Sequence, residues 1–346
     1  MCRTVCAVRT QKGGRAMPFQ IIRNDITKVK ADIIVNTANP NPKIGRGTDS
    51  AVYSAAGADA LLEERRKIGD IAPGQAAATP AFALPAKYII HTVGPVWTDG
   101  RSGEREILRA CYENTLALAS ELQAESIAFP LIATGVYGFP KDEALNIALS
   151  EIGKFLLTHE MHVILVVFGR KTFELSAKIV GAIDEYIDEQ QEQMLCQTEY
   201  AGWSSADAER WRRQAQSCHF VRQPQDLDRI LGCAGETFQQ RLFRLIDESG
   251  MDDVTVYKKA NIDRKVFSRI RCKADYKPSK KTAVAFAVAL RLRMPEMLDL
   301  LACAGIALSP SDKFDLIITY CVQNSIYDIY EINAILFQYG QPILGA

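Results

Sequence analysis

The segment His162-Val-Ile-Leu-Val-Val-Phe168 is apolar at every position after its histidine, and a strand with no polar alternate suits only a sheet covered on both faces. Such a strand needs helices above and below it, and the flanking chain supplies them. From Phe19 to Gln190, β-branched apolar runs predict strands over 19–23, 31–36, 74–79, 86–93, 126–132 and 162–168. Amphipathic stretches between them predict helices over 49–68, 105–123, 141–158 and 171–189. That alternation is the pattern of an α/β layered fold. Within 105–123, Leu108, Cys111, Thr115, Leu118 and Leu122 recur at steps of three and four, which turns one stripe toward the sheet.

The pattern changes after Gln190. Between Gln191 and Gln225, Gln, Ser and Arg surround Trp203 and Trp211, a composition suited to an inter-domain connector. After about Gly235 the strand signals stop, and helices are predicted over 237–248, 252–259, 263–273, 279–292, 295–303, 310–323 and 328–338. Gly250 suits the left-handed position behind a helix, Asp263 and Ser279 suit N-caps, and Ser309-Pro310 sets a cap before a first-turn proline. The expected organisation is a disordered extension over 1–16, an α/β domain over 17–190, a linker over 191–234 and an all-α domain over 235–346. The 346 residues are enough for two cores. Met17, at the head of the first strand, is an alternative start to Met1.

Composition narrows the functional classes. The 41 Lys and Arg balance 41 Asp and Glu, so any attraction for an anionic partner must come from local clusters. No apolar stretch approaches the roughly 20 residues of a membrane span, and residues 1–16 lack the apolar core of a secretory signal. Nine cysteines without a CxxC pair are the usage expected of a reduced, cytoplasmic protein. His91, His159, His162 and His219 share no metal-ligand spacing, so no metal site is expected and His91 reads as a structural strand residue.

Three loops behind strands offer groups suited to a nucleotide diphosphate sugar. In Asn24-Asp25-Ile26-Thr27 a carboxylate could accept from an amino group such as that of adenine, or simply form an Asx turn. In Asn36-Thr-Ala-Asn39 through Gly45-Arg46-Gly47-Thr48-Asp49, two amides and an acid can surround a sugar, or Asp49 can be a first-turn residue beside a Thr48 cap. In Thr134-Gly135-Val136-Tyr137-Gly138-Phe139-Pro140, glycines let backbone N–H groups approach a phosphate, while Tyr137 and Phe139 could pack on a ribose or base; the alternative is a tight turn.

The order and spacing of these loops resemble the macrodomain family over essentially all of residues 17–189. The resemblance rests on Asn24-Asp25-Ile26-Thr27, Val35-Asn36-Thr-Ala-Asn39, Gly47-Thr-Asp49 with Ala55-Ala-Gly57, His91-Thr-Val-Gly-Pro95 and Ala133-Thr-Gly-Val-Tyr-Gly-Phe-Pro140. It implies a three-layer α/β/α fold with a mixed central sheet that binds ADP-ribose, with no cofactor and with ADP-ribose as ligand or product. Asp25, with Ile26 beside it, would take the adenine amino group, and the backbone of Thr134, Gly135, Val136, Tyr137, Gly138 and Phe139 would cradle the diphosphate. Asn36, Arg46 and Gly47 would line the sugar end, where Asn39 and Asp49 would act.

The second loop looks most like that of the MacroD-type hydrolases, which remove mono-ADP-ribose from acidic side chains and deacetylate O-acetyl-ADP-ribose. In them Asn39 and Asp49 would orient the distal ribose and the attacking water. The subgroup usually has Gly at the place of Asn24, Gly-Gly-Val at that of Arg46-Gly47-Thr48 and Ser at that of Ala133. Arg46 is the largest departure, since a long cation stands where only backbone is usual; it could clamp a phosphate or narrow the pocket.

In the helical half, Val254 to Lys281 carries seven Lys and three Arg against two Asp, a local balance of +8. Residues 256–270 resemble the helix-turn-helix of lambda-repressor-like regulators, whose second helix enters the DNA major groove. The resemblance implies that Ala260, Ile262, Phe267 and Ile270 pack inward, while Arg264, Lys265, Ser268, Arg269 and Arg271 face DNA. Tyr257 stands where that family packs a small residue, and Asn261 replaces its turn glycine. Protein or RNA contact is the alternative for this surface. The leading expectation is a mono-ADP-ribosyl hydrolase acting on ADP-ribosylated protein or O-acetyl-ADP-ribose; the rival is a non-catalytic ADP-ribose sensor coupled to DNA binding.

Overall fold

The computed structural model describes residues 17–169, 175, 177–200 and 236–345. The expected extension over 1–16 and most of the expected linker lie outside the described residues. Two compact units are present. Among the described residues the first takes 17–169, 257–268 and 345, and the second takes 175, 177–200, 236–256 and 269–344.

The first unit is built on six strands: β1 (Phe19–Arg23), β2 (Ile33–Thr37), β3 (Ala76–Pro80), β4 (Tyr88–Thr92), β5 (Ser126–Pro130) and β6 (His162–Val167). Their order across the sheet is β1-β6-β5-β2-β4-β3, and every neighbouring pair is parallel except β3 with β4. The sheet is therefore mixed, with its antiparallel pair at one edge. β6 lies inside it, between β1 and β5, and Val163 to Val167 are all buried, as its unbroken apolar run requires.

Helices cover both faces. Ile34, Ile89, Ala128, Ile164 and Val166 share one core with Val52, Tyr53, Ala56 and Leu61 from α1 (Thr48–Ala56) and α2 (Ala58–Ile68). The single helix expected over 49–68 is thus two, because Gly57 breaks it at φ 104°, a value that L side chains rarely adopt. The alternate strand residues turn to the opposite face. There α3 (Glu104–Glu121) and α4 (Lys141–Thr158) pack, with the Tyr112 ring 5.4 Å from that of Phe129. The α3 stripe is Leu108, Cys111, Tyr112, Thr115, Leu116 and Ala119, while Leu118 is only half-buried.

β1 is an edge strand, and its free side is occupied by a side chain rather than a neighbour strand. The amide of Phe19 donates to Asn261 Oδ1 at 2.8 Å, and Asn261 Nδ2 donates back to the Phe19 carbonyl at 3.1 Å. Asn261 is fully buried and holds φ at 52°, a left-handed conformation that Asn tolerates better than most residues. It therefore serves in the turn where glycine is usual and also blunts an exposed sheet edge.

In the second unit, α5 (Ala177–Tyr200) continues beyond the expected domain end at 190. The seven expected helices of the C-terminal half are all present: α6 (Phe238–Ser249), α7 (Asp253–Lys259), α8 (Arg264–Cys272), α9 (Lys280–Ala289), α10 (Met294–Cys303), α11 (Lys313–Gln323) and α12 (Ile329–Gln338). Gly250 closes α6 at φ 67°, and Ser279 caps α9 by accepting from the Thr282 amide. The cap expected at Ser309-Pro310 is not used. Asp312 caps α11 instead, accepting from the Phe314 amide at 2.8 Å, because a carboxylate one residue before the helix reaches its orphan N–H groups directly. No helix among the described residues is long and apolar enough to cross a membrane.

Candidate functional site

Parallel strands bring their C-terminal ends to one edge of the sheet, and the loops that leave those ends enclose a crevice. In the first unit the loops after β1, β2 and β5, with the end of β6, line a cavity of about 660 Å³. Asp25, Ile26, Asn39, Arg46, Gly47, Asp49, Thr134, Gly135, Val136 and Tyr137 all line it. Three stretches far apart in sequence are thereby brought to one space. A second groove, of about 550 Å³, lies between the outer sides of α3 and α4, where Lys154 Nζ and Glu151 Oε1 pair at 2.8 Å.

The loop after β1 turns back immediately. Asp25 Oδ1 accepts from the Thr27 amide at 3.0 Å and the Thr27 hydroxyl at 2.8 Å, so the Asx turn and the cavity-lining carboxylate are the same residue. The Thr27 hydroxyl is the first cause holding the Asp25 carboxyl below its ordinary value, with the Thr27 amide acting the same way against a desolvation cost. A fixed anion therefore stands at this end.

The loop after β2 ends at α1. Gly47, at φ 68°, occupies the N-cap without a side-chain bond, and Thr48 is already helical, so the Thr48 cap is not formed. Asp49, in the first turn, is 2 % exposed. Its Oδ1 accepts from Asn36 Nδ2 at 2.7 Å and its Oδ2 from the Gly45 amide at 2.5 Å. Burial raises the carboxyl above its ordinary value and outweighs the lowering by these two bonds and by the Arg65 charge. Asn36 itself does not line the cavity: it is fully buried beneath Asp49 and acts on it from below.

Arg65 is a contributor that sequence reasoning missed, and Gly45, read there only as one glycine of the second loop, has a particular place. Arg65 is 1 % exposed, and its guanidinium donates to the carbonyls of Asn39 at 3.2 Å, Pro40 at 3.2 Å and Gly69. In sequence it resembles any last-turn cation of an amphipathic helix. At Gly45 an added Cβ would meet Asn39 Nδ2 at 2.6 Å and Asp49 Oδ2 at 3.0 Å, so any larger residue there would displace at least one of these two side chains. Arg46 is exposed at the rim.

The loop after β5 is shaped by its own backbone. Ala133 takes φ 64° and Gly138 φ 68°, the Phe139 amide donates to the Ala133 carbonyl at 3.0 Å and the Gly138 amide to that of Gly135 at 3.1 Å. Between these closures, the amides of Thr134, Gly135, Val136 and Tyr137 have no acceptor among the described residues. Four successive unspent N–H groups on a cavity wall are donors of the kind an anion can use. Gly138 and Phe139 fall outside the lining. The Phe139 ring is buried against Trp97, edge to face at 4.7 Å, and so packs under the loop rather than on a ligand. The apolar lining comes instead from Val136 and Phe168, which are 74 % and 78 % exposed. Large apolar groups left so open are informative; in sequence Phe168 reads only as the end of an apolar strand.

In α8, Arg264, Lys265, Ser268, Arg269 and Arg271 are exposed, while Ala260, Ile262, Phe267 and Ile270 are buried as expected. Arg271 is engaged by an ion pair with Asp253 and lies over the Phe243 ring. Tyr257 is accommodated by tilting against Phe267 at 5.5 Å.

Known proteins match much of the stretch that builds the cavity. Residues 35–148 match the family described as Macro domain. A macro domain-containing protein of Methanosarcina mazei is 47% identical over 143 residues, covering 41% of this chain and 76% of that protein. An O-acetyl-ADP-ribose deacetylase of Escherichia coli strain K12 is 43% identical over 146 residues, covering 41% of this chain and 82% of that enzyme. The Oceanobacillus iheyensis macrodomain with ADP is 38% identical over 44% of this chain and 84% of its own, with a TM-score of 0.42. The matched residues 35–148 include Asp49 and the loops after β2 and β5, and by relatives of this identity, covered over three quarters or more of their own length, the chain belongs to the macro domain family.

Proposed function

We propose that the cavity binds ADP-ribose and that the protein is a hydrolase of ester-linked ADP-ribose, removing mono-ADP-ribose from acidic side chains, opening O-acetyl-ADP-ribose, or both. The observation that carries this reading is the buried Asp49 carboxylate at the same cavity as four unspent amides. The amides of 134–137 suit a diphosphate, whose oxygens accept what they offer. Asp25 suits the amino group of adenine, and Phe168 and Val136 give the base an apolar wall. The distal ribose then falls between Asn39 and Asp49.

In either reaction water adds across an ester, one C–O bond breaks, a carboxylate leaves and the ribose hydroxyl is restored. Asp49 has one hydrogen bond on each oxygen, and each ionised carboxylate oxygen can accept about one more. It can therefore hold the attacking water and take up its proton, a role for which a raised carboxyl is better suited than an ordinary one. Asn39 supplies an amide for the ribose hydroxyls. Positioning of this kind is sensitive to small displacements.

The test is release of ADP-ribose from a carboxylate-linked mono-ADP-ribosylated protein and of acetate from O-acetyl-ADP-ribose, with Asp49→Ala beside the wild type. Turnover that Asp49→Ala abolishes while ADP-ribose still binds is the expected result. Binding without turnover in either protein would favour the second reading, a sensor whose helical half contacts nucleic acid. One observation supports that alternative: Arg264, Lys265, Ser268 and Arg269 all stand exposed on α8. It would require duplex DNA binding that weakens steeply with salt.

A further inference from the structure

The polar groups behind Asp49 continue away from the cavity as a single chain. Asn36 Nδ2 donates to Asp49 Oδ1 at 2.7 Å and lies 3.1 Å from His91 Nδ1, while His91 Nε2 lies 3.0 Å from Thr79 Oγ1. Asn36 and His91 are fully buried, and Asp49 and Thr79 are 2 % and 3 % exposed. β2, β4 and β3 are successive neighbours, and the pairings Asn36 with His91 and Ala77 with His91 set the histidine across the sheet between them.

The donor and acceptor roles along this chain are forced. A carboxylate accepts only, so it selects the Asn36 amide orientation with nitrogen toward Asp49. The same nitrogen then faces His91 Nδ1, which must be the bare, accepting atom, and the ring proton sits on Nε2, where it donates to Thr79. The remaining Asn36 oxygen is buried with no hydrogen-bond partner among the described residues. Both hydrogens of the Asn36 amide are thus spent, one on the carboxylate and one on the ring.

We propose that His91 is a positioning residue for Asp49: its Nδ1 lone pair holds the Asn36 amide in the orientation that fixes the carboxylate at the cavity floor, with Thr79 fixing the tautomer. This rests on the reading of Asp49 as the group that handles water. Burial lowers the imidazole to about 3, with the Arg65 charge acting in the same direction, so the ring stays neutral and accepting at working pH. Apart from His91, the ionisable groups that face Asp49 are Arg65 from α2, Tyr53 from α1 and Tyr137 from the loop after β5.

The experiment compares His91→Leu, which removes the acceptor, with His91→Asn, whose Oδ1 can take the place of Nδ1, in the full chain and beside Asp49→Ala. His91→Leu should lower kcat by about tenfold, the worth of one lost hydrogen bond. The dissociation constant for ADP-ribose should stay within about twofold, since the groups of the other two loops are untouched. The acid limb of the pH profile should move up, because an Asn36 amide no longer held by His91 is free to turn away from Asp49, and a carboxylate whose donor is poorly placed is harder to ionise. His91→Asn should keep most of kcat and the original limb.

An unchanged kcat and acid limb in His91→Leu would overturn the proposal. So would an equal loss in His91→Asn, which would mean that the ring's packing matters and its lone pair does not. If His91→Leu does not fold, Thr79→Val serves: it frees the tautomer and should shift the same limb in the same direction, and no shift refutes the idea. Wild-type turnover by Asp49→Ala would instead refute the underlying reading of Asp49, an outcome separate from all of these.

Discussion

A single methyl group at Gly45 distinguishes a site defined by side-chain placement from one that only needs a roomy pocket. Gly45 takes a backbone conformation open to any L residue, yet its added Cβ would lie 2.6 Å from Asn39 Nδ2 and 3.0 Å from Asp49 Oδ2. Ordinary contact begins at 3.4 Å, so the Asn39 amide must retreat by about 0.8 Å. Retreat breaks its 3.1 Å bond to the Lys43 carbonyl and strains the short bond from the Gly45 amide to Asp49. The atom that yields is the tip of a partly exposed side chain, so the cost in stability is small, but a misplacement near 1 Å at reacting groups costs up to about a hundredfold in rate. Gly45→Ala should therefore lose between about tenfold and a hundredfold in kcat. Its affinity for ADP-ribose should change much less. Gly47→Ala is the matched comparison: at φ 68° it is strained, but its Cβ meets nothing within 4 Å. With ψ near −127° it lies in a region almost confined to glycine, so it should lose about 1–3 kcal/mol of stability and far less kcat. Steady-state hydrolysis and denaturant melts of the two variants decide the matter. A Gly45→Ala enzyme within twofold of wild type, or a Gly47→Ala enzyme that loses more rate, would refute the placement argument.

Two further outcomes follow from the same geometry. At Gly135 an added Cβ meets nothing within 4 Å and no positive φ is required, so Gly135→Glu should fold normally and set a carboxylate beside the unspent amides; ADP-ribose affinity measured by calorimetry should fall by at least about a hundredfold, several kcal/mol of charge repulsion, and retained affinity would remove the diphosphate from this loop. His91, lowered by burial to about 3 from an ordinary 6.5, binds its proton more readily in the unfolded chain, so its contribution to stability is full above about 6.5 and is lost progressively as the pH falls toward 3. Denaturant melts of wild type and His91→Asn across that range should converge toward low pH, and parallel curves would show that the histidine is not buried neutral.

The strands were legible because a period of two and an unbroken apolar run are properties of a few consecutive residues: β6 was visible in Val163 to Val167 before any partner was known. Helix ends were legible where a single residue dictates them, as at Gly250 and Ser279. They were misread where two candidates compete, as at Asp312 against Ser309-Pro310, because reach to an orphan N–H depends on the local path of the chain. Gly57, read as part of a family motif, gave no warning that it divides a helix.

The site divides along the same line. Residues that touch the cavity through loop motifs, such as Asp25, Asn39, Asp49 and Gly135, could be named from the resemblance of those loops to the macrodomain family, because a loop between a strand and a helix must carry its function within a few residues. What holds those residues could not. Arg65 reaches the carbonyls of Asn39 and Pro40 from another helix, and Asn261 reaches Phe19 across 242 positions of sequence. His91 reads as an ordinary strand residue until the pairing of β2 with β4 sets it beside Asn36. Each of these is a polar side chain with no apolar periodicity to betray its partner, and a buried polar group must find a partner wherever the fold offers one. Groups that meet a ligand are therefore displayed by local sequence, while groups that fix their orientation are assigned by topology. For that reason the test of His91 measures something the loop motifs alone do not contain.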